Sequence, residues 1–580
     1  MTTMAGPANA EIARIFREVA DQLELSRANQ FRIRAYRNAA RTVEESARSI
    51  ASIARTTPEE LEELPGIGAD LAGKITQIVR TGELPMLATL ERRAPKGAAE
   101  LMHVPGIGPR RARVLAQRLH VRSLDGLKRA AREGRIHKLP GFGARTEQRI
   151  LTELAAPMLS DRRWLRARAA QYGEPFLAYM RAAKGVTQAE IAGSFRRCRE
   201  TVGDLDLLVE SANGRAAVQH FVSYPEVRRV TAHGTTRAAV QLAGGLNVDL
   251  RVLPPESYGA ALHYFTGSKA HNIAIRALGR TAGLKISEYG VHRGGKRIAG
   301  REEREVFEAV GLPWIPPELR EARGEIDAAR AGKLPNLVEL RHVRGDLQMH
   351  TTDSDGRNSL EEMAEAAQEM GYEYIAITDH TPTVRIVGGL DRAGFRRQMR
   401  RIDKLNAKLR DLTILKGAEV DVHADGSLDL DDETLAAFDI VLVSLHSSLA
   451  LPPAQQTQRI TRAMQNRFVH LLAHPTARLL SRRQGARFDL DEVCRVAASE
   501  GVALEINAQP ERLDLDDIAA RRAIALDASL AIDTDAHSVE ELRFMRWGVD
   551  QARRGWVGRR QVINTLSLDK LLATLSARRS

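Results

Sequence analysis

The sequence predicts a multidomain protein with a helical N-terminal region, an α+β centre and an α/β C-terminal half. Three observations support this fold class. A hydrophobic-Pro-Gly-hydrophobic-Gly unit occurs three times within residues 64–143, each time before a helical pattern. A strand-like stretch with two alternate aspartates spans residues 204–210, and from residue 341 short apolar strands alternate with helices. The chain of 580 residues is also too long for a single hydrophobic core.

The composition favours a globular protein that binds an anionic polymer. Apolar residues make up 43% of the chain and charged residues 28%, as in folded domains. The formal net charge of +12 favours nucleic acid as a partner, although an arginine-rich proteome would also produce it. Aromatic residues amount to only 4%, which argues against base stacking as the main mode of binding.

The cysteine content and the hydropathy indicate a reducing compartment. Cys198 and Cys494 are far apart in sequence, which does not suggest a disulfide framework. The chain has no apolar signal segment at its N-terminus and no run of 18 apolar residues. We therefore expect a cytoplasmic protein with no membrane partner, and a monomer as the default state.

The three repeated units are Leu64-Pro-Gly-Ile-Gly68, Val104-Pro-Gly-Ile-Gly108 and Leu139-Pro-Gly-Phe-Gly143. Their glycines are Gly66, Gly68, Gly106, Gly108, Gly141 and Gly143. Glycine permits a tight turn that aims the free N–H groups of the next helix at a phosphate. One copy would fit a plain helical hairpin, whereas three copies resemble helix-hairpin-helix motifs. That resemblance implies DNA backbone contacts without sequence readout, often assisted by a monovalent cation.

The segment 101–150 strengthens the prediction of DNA binding, since it holds twelve Lys or Arg residues against three Asp or Glu. We expect the affinity of this region for DNA to fall as salt rises.

The stretch from Gly193 to Glu210 combines a phosphate-binding turn with paired carboxylates. Asp204 and Asp206 alternate at the start of an apolar strand, so both carboxylates project to one face. Two adjacent carboxylates repel each other unless a divalent cation lies between them. Upstream, Gly193-Ser194 and a run of arginines can hold phosphate, and a strand at 246–253 offers Asp249 as a third carboxylate. This combination is typical of two-metal phosphoryl transfer.

These segments, together with Tyr264-Phe265-Thr266-Gly267-Ser268, resemble the nucleotidyltransferase core of X-family DNA polymerases. The resemblance implies that Asp204, Asp206 and Asp249 bind the catalytic Mg²⁺ or Mn²⁺ pair. It implies that the triphosphate or nucleotide is contacted by Gly193, Ser194, Arg197 and Gly203. It also implies that Tyr264, Phe265 and Gly267 discriminate between sugars. Asn272 would contact the edge of the base, and Arg276 would contact the template strand. The substrates would be deoxynucleoside triphosphates and gapped or nicked double-stranded DNA. Cys198 departs from the glycine that relatives often carry.

Lys74 lies six residues after Gly68, where repair polymerases of this family carry a lysine that forms a Schiff base with an abasic sugar. A lysine nucleophile needs a lowered pKa. Asp70 occupies a position where those enzymes carry another lysine, and a nearby carboxylate would keep Lys74 protonated. Two interpretations stay open, a lyase nucleophile and a phosphate-contacting lysine, and the second is favoured.

The C-terminal half places metal-ligand residue types at the ends of strand-like runs. These runs are 375–378, 414–420, 440–444, 469–473, 503–506 and 530–532. Barrel sites are built at the ends of strands, and this segment resembles the PHP (polymerase and histidinol phosphatase) domain, a distorted barrel of about seven strands. The resemblance implies two to three Mn²⁺ or Zn²⁺ ions held by His350, Asp355, His380, Glu419, His446, His474, Asp535 and His537. Gln348 replaces an expected histidine, which predicts one weaker metal site.

The sequence thus predicts six segments, which are a lyase-like helical domain (1–85), a second helix-hairpin-helix domain (86–157), a nucleotidyltransferase palm (158–255), a nucleotide-selecting thumb-like subdomain (256–318), a linker (319–340) and a PHP hydrolase domain (341–580). Together they resemble the bacterial-type X-family DNA polymerase. The resemblance implies filling of short gaps in DNA repair, with a PHP site acting as 3′→5′ exonuclease, AP endonuclease or 3′-phosphoesterase. The alternatives are a DNA-bound PHP hydrolase and a repair scaffold, each with an idle polymerase core.

Overall fold

The computed structural model describes residues 9–26, 28–45, 50–64, 66–93, 97–102, 104, 107–139, 142–143, 146–147, 150, 163–383 and 388–579. Contacts between residues divide the chain into two compact units. One contains residues 1–164, 168–191 and 202–255, and the other contains residues 165–167, 192–201 and 256–580. The six predicted segments follow a finer division, and their boundaries stay a prediction. Within the described part of the chain, no helix is long and apolar enough to span a membrane.

The N-terminal region is helical, as predicted. Its helices are α1 (Asn9–Leu25), α2 (Gln30–Glu45), α3 (Ile50–Thr56), α4 (Ala69–Thr81), α5 (Pro85–Arg93), α6 (Ala98–Leu101), α7 (Pro109–Arg118) and α8 (Leu124–Arg132). The apolar residues Ile12, Ile15, Phe16 and Val19 recur at helical spacing and are buried on one side of α1. Two apolar cores form here, one around α1 to α5 and one around α6 to α8.

A five-stranded sheet follows, with the strand order β2-β4-β7-β6-β5. Its strands are β2 (Val186–Ile191), β4 (Leu205–Ser211), β5 (Val227–His233), β6 (Arg237–Leu242) and β7 (Asn247–Leu253), and two short strands, β1 (Trp164–Leu165) and β3 (Thr201–Val202), precede β2 and β4. The helices of this region are α9 (Arg166–Arg181), α10 (Gly193–Arg196) and α11 (Gly214–Val222). Strands β4 and β7 are parallel neighbours, and the remaining pairs in this sheet are antiparallel.

Residues 258–330 form a small mixed subdomain. Its elements are α12 (Tyr258–Thr266), α13 (Lys269–Thr281), α14 (Glu303–Glu308), α15 (Glu325–Arg330) and an antiparallel sheet of β8 (Lys285–Ser287), β9 (Gly290–Arg293) and β10 (Lys296–Ala299). Its core packs Phe307, Ile315 and Leu319 against α12 and α13.

The C-terminal half is a seven-stranded parallel barrel. Its strands, which follow chain order in the sheet, are β11 (Gly345–Met349), β12 (Tyr374–Ile377), β13 (Thr413–Asp421), β14 (Ile440–Ser444), β15 (Leu471–Leu472), β16 (Ala503–Asn507) and β17 (Leu530–Asp533). A bridge between Met349 and Ala536 brings the last strand beside the first and nearly closes the barrel. Most strand residues are buried on both faces, as expected where helices cover a parallel sheet.

The helices of the barrel are α16 (Leu360–Glu369), α17 (Arg392–Asn406), α18 (Asp432–Leu435), α19 (Pro453–Met464), α20 (Leu490–Glu500), α21 (Asp517–Ala525), α22 (Met545–Arg554) and α23 (Leu568–Ala577). Several begin with an aspartate or serine whose side chain accepts a hydrogen bond from the first turn, as at Ser359, Asp391 and Asp489. The predicted fold class, with its helical, mixed and barrel parts, is confirmed.

Candidate functional sites

The three repeated hairpins share one turn geometry. The N–H groups of Ile67, Ile107 and Phe142 each donate to the carbonyl three residues earlier, at 3.0, 2.9 and 3.1 Å. All three side chains are buried, so each turn is held by its apolar residue. The same hydrogen bond therefore recurs across the turn of each unit.

The second glycine of each unit stands at the start of the following helix. A Cβ atom placed on Gly68, Gly108 or Gly143 would meet no atom within 4 Å, so the backbone is openly accessible at each of these glycines. Free N–H groups at a helix start attract phosphate, and Gly66 adopts a left-handed φ of 73° that favours glycine. Gly106 and Gly141 lie outside the described residues, and the DNA-binding role of all six glycines stays a prediction.

Lys74 is held as a cation in this structure. Its Nζ forms an ion pair with Asp70 and lies 5.5 Å from the ring centroid of Tyr36. Burial opposes the charge, but the hydrogen bonds to Asp70 and Tyr36 outweigh it and raise the pKa of Lys74. A Schiff-base nucleophile needs the opposite shift, so this geometry favours the phosphate-contacting interpretation.

The palm carboxylates meet at the edge of two parallel strands. Asp206 on β4 is paired in register with Asp249 on β7, and Asp204 immediately precedes β4 on an exposed position. Burial and the negative charge of Asp204 raise the pKa of Asp249, and Arg251 opposes the shift. Asp204, Asp206 and Asp249, near the start of these two strands, are a carboxylate donor set of the kind that suits hard divalent cations such as Mg²⁺ or Mn²⁺. Gly203 lies directly before them in the chain.

The loop predicted to hold the triphosphate is built on α10. Gly193 has a left-handed φ of 63°, and Ser194 follows it at the start of this one-turn helix. Arg197 donates through Nη1 to the carbonyl of Thr266 and through Nε to Glu321 at 3.1 Å. The guanidinium is thus fixed beside the turn that contains Gly267.

Arg196 and Cys198 anchor the same loop. Arg196 donates to Thr266 at 2.7 Å and to both carboxylate oxygens of Glu303 at 2.6 and 3.0 Å. Cys198, which departs from the family pattern, adopts a left-handed φ of 56°. Burial strongly raises the pKa of its thiol. The cysteine is therefore a neutral, half-buried part of the turn.

The barrel also holds this loop, through a group of buried ion pairs. Arg554 of α22 donates to the carbonyl of Arg197, to Glu321 at 3.1 Å and to Asp517 at 2.7 Å. Glu200 accepts hydrogen bonds from Arg478 and from Gln551 at 2.8 Å. These barrel residues lie about 280–360 positions away in sequence, and no local pattern predicted them.

The nucleotide-selecting turn is compact. Tyr264 and Phe265 pack edge to face with ring centroids 5.2 Å apart, and both are half-buried. A Cβ atom on Gly267 would lie 3.2 Å from Nη1 of Arg197, and its φ of 71° is left-handed, so glycine is required there. Asn272 donates through Nδ2 to the carbonyl of Tyr264 at 2.7 Å, while Arg276 is exposed on α13. Their predicted nucleotide and template contacts remain untested.

The eight predicted barrel ligands come together at one end of the barrel. Seven of them form three overlapping groups whose ligand atoms lie within 4.8 Å of one another. These groups are His350, Asp355, His380 and His537; His380, Glu419 and His446; and His350, Glu419 and Asp535. The eighth, His474, lies with Nε2 2.9 Å from Oε1 of Glu419.

Glu419 stands at the centre of the cluster. Its carboxylate lies 3.3 Å from His350, 3.4 Å from His380 and 3.3 Å from His446. Asp355 bridges the outer side, 3.6 Å from His380 and 3.5 Å from His537. The cluster thus contains five imidazoles and three carboxylates, which are a suitable donor set for two to three ions of Mn²⁺ or Zn²⁺.

Several buried polar atoms of the cluster have no hydrogen-bond partner. They include both ring nitrogens of His350, Nδ1 of His380, Oε2 of Glu419 and Nδ1 of His474. Buried polar atoms are normally paired, so unpaired imidazole nitrogens and a carboxylate oxygen within this cluster fit metal ligation. The donor chemistry therefore agrees with the predicted ions, while the assignment of each ligand stays a prediction.

The electrostatics of the cluster match its chemistry. Burial opposes the charged form of His446, yet Glu419 and Asp421 raise its pKa to about 9. Burial lowers the pKa of His380 to about 4. Despite burial, the surrounding imidazoles hold the pKa of Asp355 at about 2. The raised pKa of His446 and the lowered pKa of Asp355 both favour the charged form, so positive and negative groups lie side by side in the cluster.

Two residues complete the cluster. Gln348 is fully buried, places Nε2 3.5 Å from Oδ1 of Asp535 and leaves Oε1 without a partner, so its amide oxygen is available as a weak ligand. Asp421 was missed by the sequence analysis. It contacts Nδ1 of His446 at 3.4 Å, and its spacing from Glu419 on β13 is the same alternation that pointed to Asp204 and Asp206.

The fold, the carboxylate cluster of the palm and the imidazole-rich cluster of the barrel define a DNA-binding nucleotidyltransferase joined to a metal-dependent hydrolase barrel. Family models match four parts of the chain: a helix-hairpin-helix domain (7–84), a SAM-like helix-hairpin-helix tandem (98–156), a DNA polymerase beta thumb (261–321) and a PHP domain (346–509).

Similar proteins cover the chain in whole or in part. The DNA polymerase/3′-5′ exonuclease PolX of Bacillus subtilis (strain 168) is 36% identical over 569 residues, which cover 97% of this chain and 99% of that protein. DNA polymerase lambda of Arabidopsis thaliana is 26% identical and matches 45% of this chain and 54% of its own length. A probable phosphatase of Syntrophotalea carbinolica is 24% identical, and the match covers 38% of this chain and 90% of the length of that protein. The chain belongs to the bacterial PolX family, X-family DNA polymerases with a C-terminal PHP domain.

Proposed function

We propose that the protein is a DNA polymerase that fills short gaps during DNA repair and that its barrel is a 3′→5′ exonuclease. The observation that carries the polymerase activity is the register of Asp206 with Asp249 beside Asp204. Carboxylates brought together on neighbouring strands are the ligands that two-metal phosphoryl transfer requires, and the raised pKa of Asp249 beside Asp204 supports this use.

The chain's own residues position the nucleotide. Arg197, fixed by Thr266 and Glu321, presents its guanidinium as a phosphate ligand, and Ser194 adds a hydroxyl and a backbone N–H. Tyr264 and Phe265 form the wall that excludes the wrong sugar, and Asn272 and Arg276 contact base and template. Divalent ions bound by the three aspartates would lower the pKa of the primer 3′-hydroxyl and neutralise charge on the phosphates.

The barrel cluster positions a phosphodiester for hydrolysis. Asp355, His446 and His537 are its partly exposed members, at 27%, 21% and 27% of their side-chain areas, so they form the mouth of the site. Asp421 orients His446 through Nδ1, and Asp535 accepts hydrogen bonds from Gln348 and Asn507. Bound Mn²⁺ or Zn²⁺ would supply a hydroxide from water at neutral pH.

The finer assignments extend this proposal. The same site suits cleavage at abasic sites or removal of blocked 3′ ends, which would place the protein in base excision repair. Gapped or nicked duplex DNA and deoxynucleoside triphosphates are the proposed partners, with a monomer acting in the cytoplasm. Mg²⁺ or Mn²⁺ is proposed for the polymerase site and a monovalent cation for the hairpins.

One substrate tests both activities. A duplex with a one-nucleotide gap and a 5′-labelled primer is incubated with Mn²⁺, with or without deoxynucleotides. We expect extension with deoxynucleotides and a shortening ladder without them. Asp249→Ala should reduce extension at least about a thousand-fold, equivalent to about 4 kcal/mol of lost barrier stabilisation, and should leave shortening unchanged. His350→Ala should do the reverse.

The remaining outcomes distinguish the alternatives. Shortening without extension in the wild type would favour a DNA-bound hydrolase with an idle polymerase core. Extension without shortening would indicate that the barrel is structural. The replacement of a histidine ligand by Gln348 would then be the first explanation to test for the missing hydrolase activity. Loss of both activities in each variant would show that the two sites are not separate, and no reaction at all would favour a scaffold.

A further inference from the structure

Helix α17 (Arg392–Asn406) carries a concentration of positive charge beside the barrel cluster. Its arginines are Arg392, Arg396, Arg397, Arg400 and Arg401. The helix buries Gly394, Phe395, Gln398 and Ile402 against the barrel. Arg396, Arg397 and Arg400 are exposed on its outer side, at helical spacings of three and four residues. We call these three residues the arginine face.

The helix is fixed directly to the metal-ligand cluster. Just before it, the N–H of Leu390 donates to the carbonyl of the predicted ligand His380 at 2.7 Å. Within it, Nε2 of Gln398 donates to Asp379 at 2.6 Å and to Asp353 at 2.9 Å. Asp379 adjoins His380 in sequence. The arginine face lies on the outer side of the same helix, within about one helical turn of Gln398, so it belongs to an element that is attached beside His380.

The arginine face lacks close acidic partners. Arg392 pairs with Asp431, and Arg401 pairs with Asp353 at 2.8 Å. Arg396 reaches Glu433 only at 4.0 Å. Arg397 and Arg400 make no hydrogen bond or ion pair with any residue in the described part of the chain.

Arg400 lies four residues after Arg396 and three after Arg397, so like charges repel one another along this side of the helix. A surface hollow of about 470 Å³ is lined by Asp391, Arg392, Ala393 and the arginine face, and the carboxylate of Asp391 is engaged as the helix cap by the N–H of Gly394. Unpaired guanidinium groups around a hollow are arranged to receive an anion with several charged oxygens. The exposed arginines of this helix repel one another, and a bound anionic ligand would reduce that repulsion.

We propose that the arginine face is the docking surface for the DNA strand whose 3′ end is hydrolysed in the barrel. The ligand is the sugar-phosphate backbone of a single strand, held by phosphate contacts without base readout. This inference rests on the proposed exonuclease function and adds the place where that substrate lies. Binding there would hold the strand while its terminal phosphodiester enters the cluster through Asp355, His446 and His537.

The test compares a charge-reversal variant, Arg396→Glu/Arg397→Glu/Arg400→Glu, with a matched control. The control, Arg559→Glu/Arg560→Glu/Lys570→Glu, makes the same change in net charge at exposed positions elsewhere on the barrel half. The neutral variant Arg396→Gln/Arg397→Gln/Arg400→Gln is measured in parallel as a milder change. Each protein is assayed with Mn²⁺ on a 5′-labelled single-stranded 20-mer and on the small phosphodiester bis(p-nitrophenyl) phosphate.

We expect kcat/KM for the 20-mer to fall at least about tenfold in the charge-reversal variant. The slope of log kcat/KM against log salt should become shallower by up to about 2, the amount for three phosphate contacts to a single strand. The rate on bis(p-nitrophenyl) phosphate should stay within about twofold of wild type, since that substrate is too small to reach the helix. The neutral variant should lie between, and the control should match wild type.

Unchanged kcat/KM and salt slope on the 20-mer would overturn the docking surface, and an acidic protein partner would then become the better occupant. Equal losses on both substrates would also overturn it, because the arginines would then support the cluster and not the strand. If wild-type protein cleaves the small phosphodiester but leaves DNA intact, the exonuclease function fails. In that case, binding of the labelled 20-mer is measured by fluorescence anisotropy in EDTA. The docking proposal requires the charge-reversal variant to bind the 20-mer more weakly than the wild type does, and equal binding would overturn it.

Discussion

Lys74 shows how one neighbouring side chain decides the chemistry of another. Its ion pair with Asp70 was expected from the sequence, because residues four apart share one face of a helix. The paired amine stays protonated, which suits a phosphate contact and opposes Schiff-base formation. A raised pKa means that this pair stabilises the folded state below the ordinary lysine pKa, and the benefit is lost as pH rises through the raised value.

We therefore predict little borohydride trapping of wild-type protein on abasic DNA between pH 7 and 9. Asp70→Asn should lower the pKa of Lys74 and increase trapping several-fold toward pH 9, while Lys74→Ala should abolish it. Lys74→Ala should also weaken DNA binding and reduce its salt slope by about 0.9, one duplex phosphate contact. Trapping at pH 7 that is strong in wild type and unaffected by Asp70→Asn would instead establish Lys74 as a lyase nucleophile.

The limits of prediction are clear at Gln348 and Asp421. The resemblance identified Gln348 as a departure, and the structure adds that its amide oxygen is buried and unpaired. Asp421 carried a readable signal, its alternation with Glu419, but a lone acid after a strand is common and was passed over. Arg554 carried no signal, because its partners Arg197 and Glu321 are more than 230 positions away.

Among the elements, the barrel strands were the most predictable, because strands buried on both faces appear as short apolar runs. Five of the six runs match strands closely, whereas the run 469–473 yields only Leu471–Leu472. There the ring of His470 accepts a hydrogen bond from the N–H of Val441 at 3.0 Å. Strand β11 was not among the runs, because its polar residues Asp346 and Gln348 interrupt the apolar pattern.

Helix α22 connects the barrel to the predicted triphosphate loop, since Arg554 donates a hydrogen bond to the carbonyl of Arg197. We predict that Arg554→Ala raises KM for deoxynucleotides about tenfold in gap filling, with a smaller change in kcat, because the loop loses its anchor. The rate of primer shortening should not change. Arg554→Lys keeps the positive charge but lacks the planar guanidinium that binds several partners at once. It should therefore recover only part of the lost affinity for deoxynucleotides.

The matched control is Arg546→Ala, an exposed arginine on the same helix, which should behave as wild type. Removing Arg554 takes one of two arginine partners from Asp517, which keeps its ion pair with Arg323 at 2.8 Å, so a loss of stability of about 1–3 kcal/mol is also expected. Thermal melting separates that effect from KM. An unchanged KM in a folded Arg554→Ala protein would contradict the anchoring role.

At the scale of the whole molecule, two sites with different donor sets share one chain. The palm offers three carboxylates that repel one another, whereas the barrel offers five imidazoles around three carboxylates. Imidazole-rich sites bind transition metals more tightly than carboxylate-only sites. The barrel should therefore keep its ions at concentrations that leave the palm empty, and metal should control the stability of the barrel half.

We predict that micromolar Mn²⁺ raises the temperature of the barrel's unfolding transition by about 5–10 °C relative to EDTA. Ligand at a hundred times its Kd contributes about 2.7 kcal/mol, and a domain of this size gains about 2–4 °C per kcal/mol. Differential scanning calorimetry of the full chain suits this measurement, because separate units melt in separate transitions. The His350→Ala/Glu419→Gln variant should lose most of the shift, whereas Asp249→Ala should keep it. A shift that survives in the barrel variant would place the tightly bound metal outside the cluster.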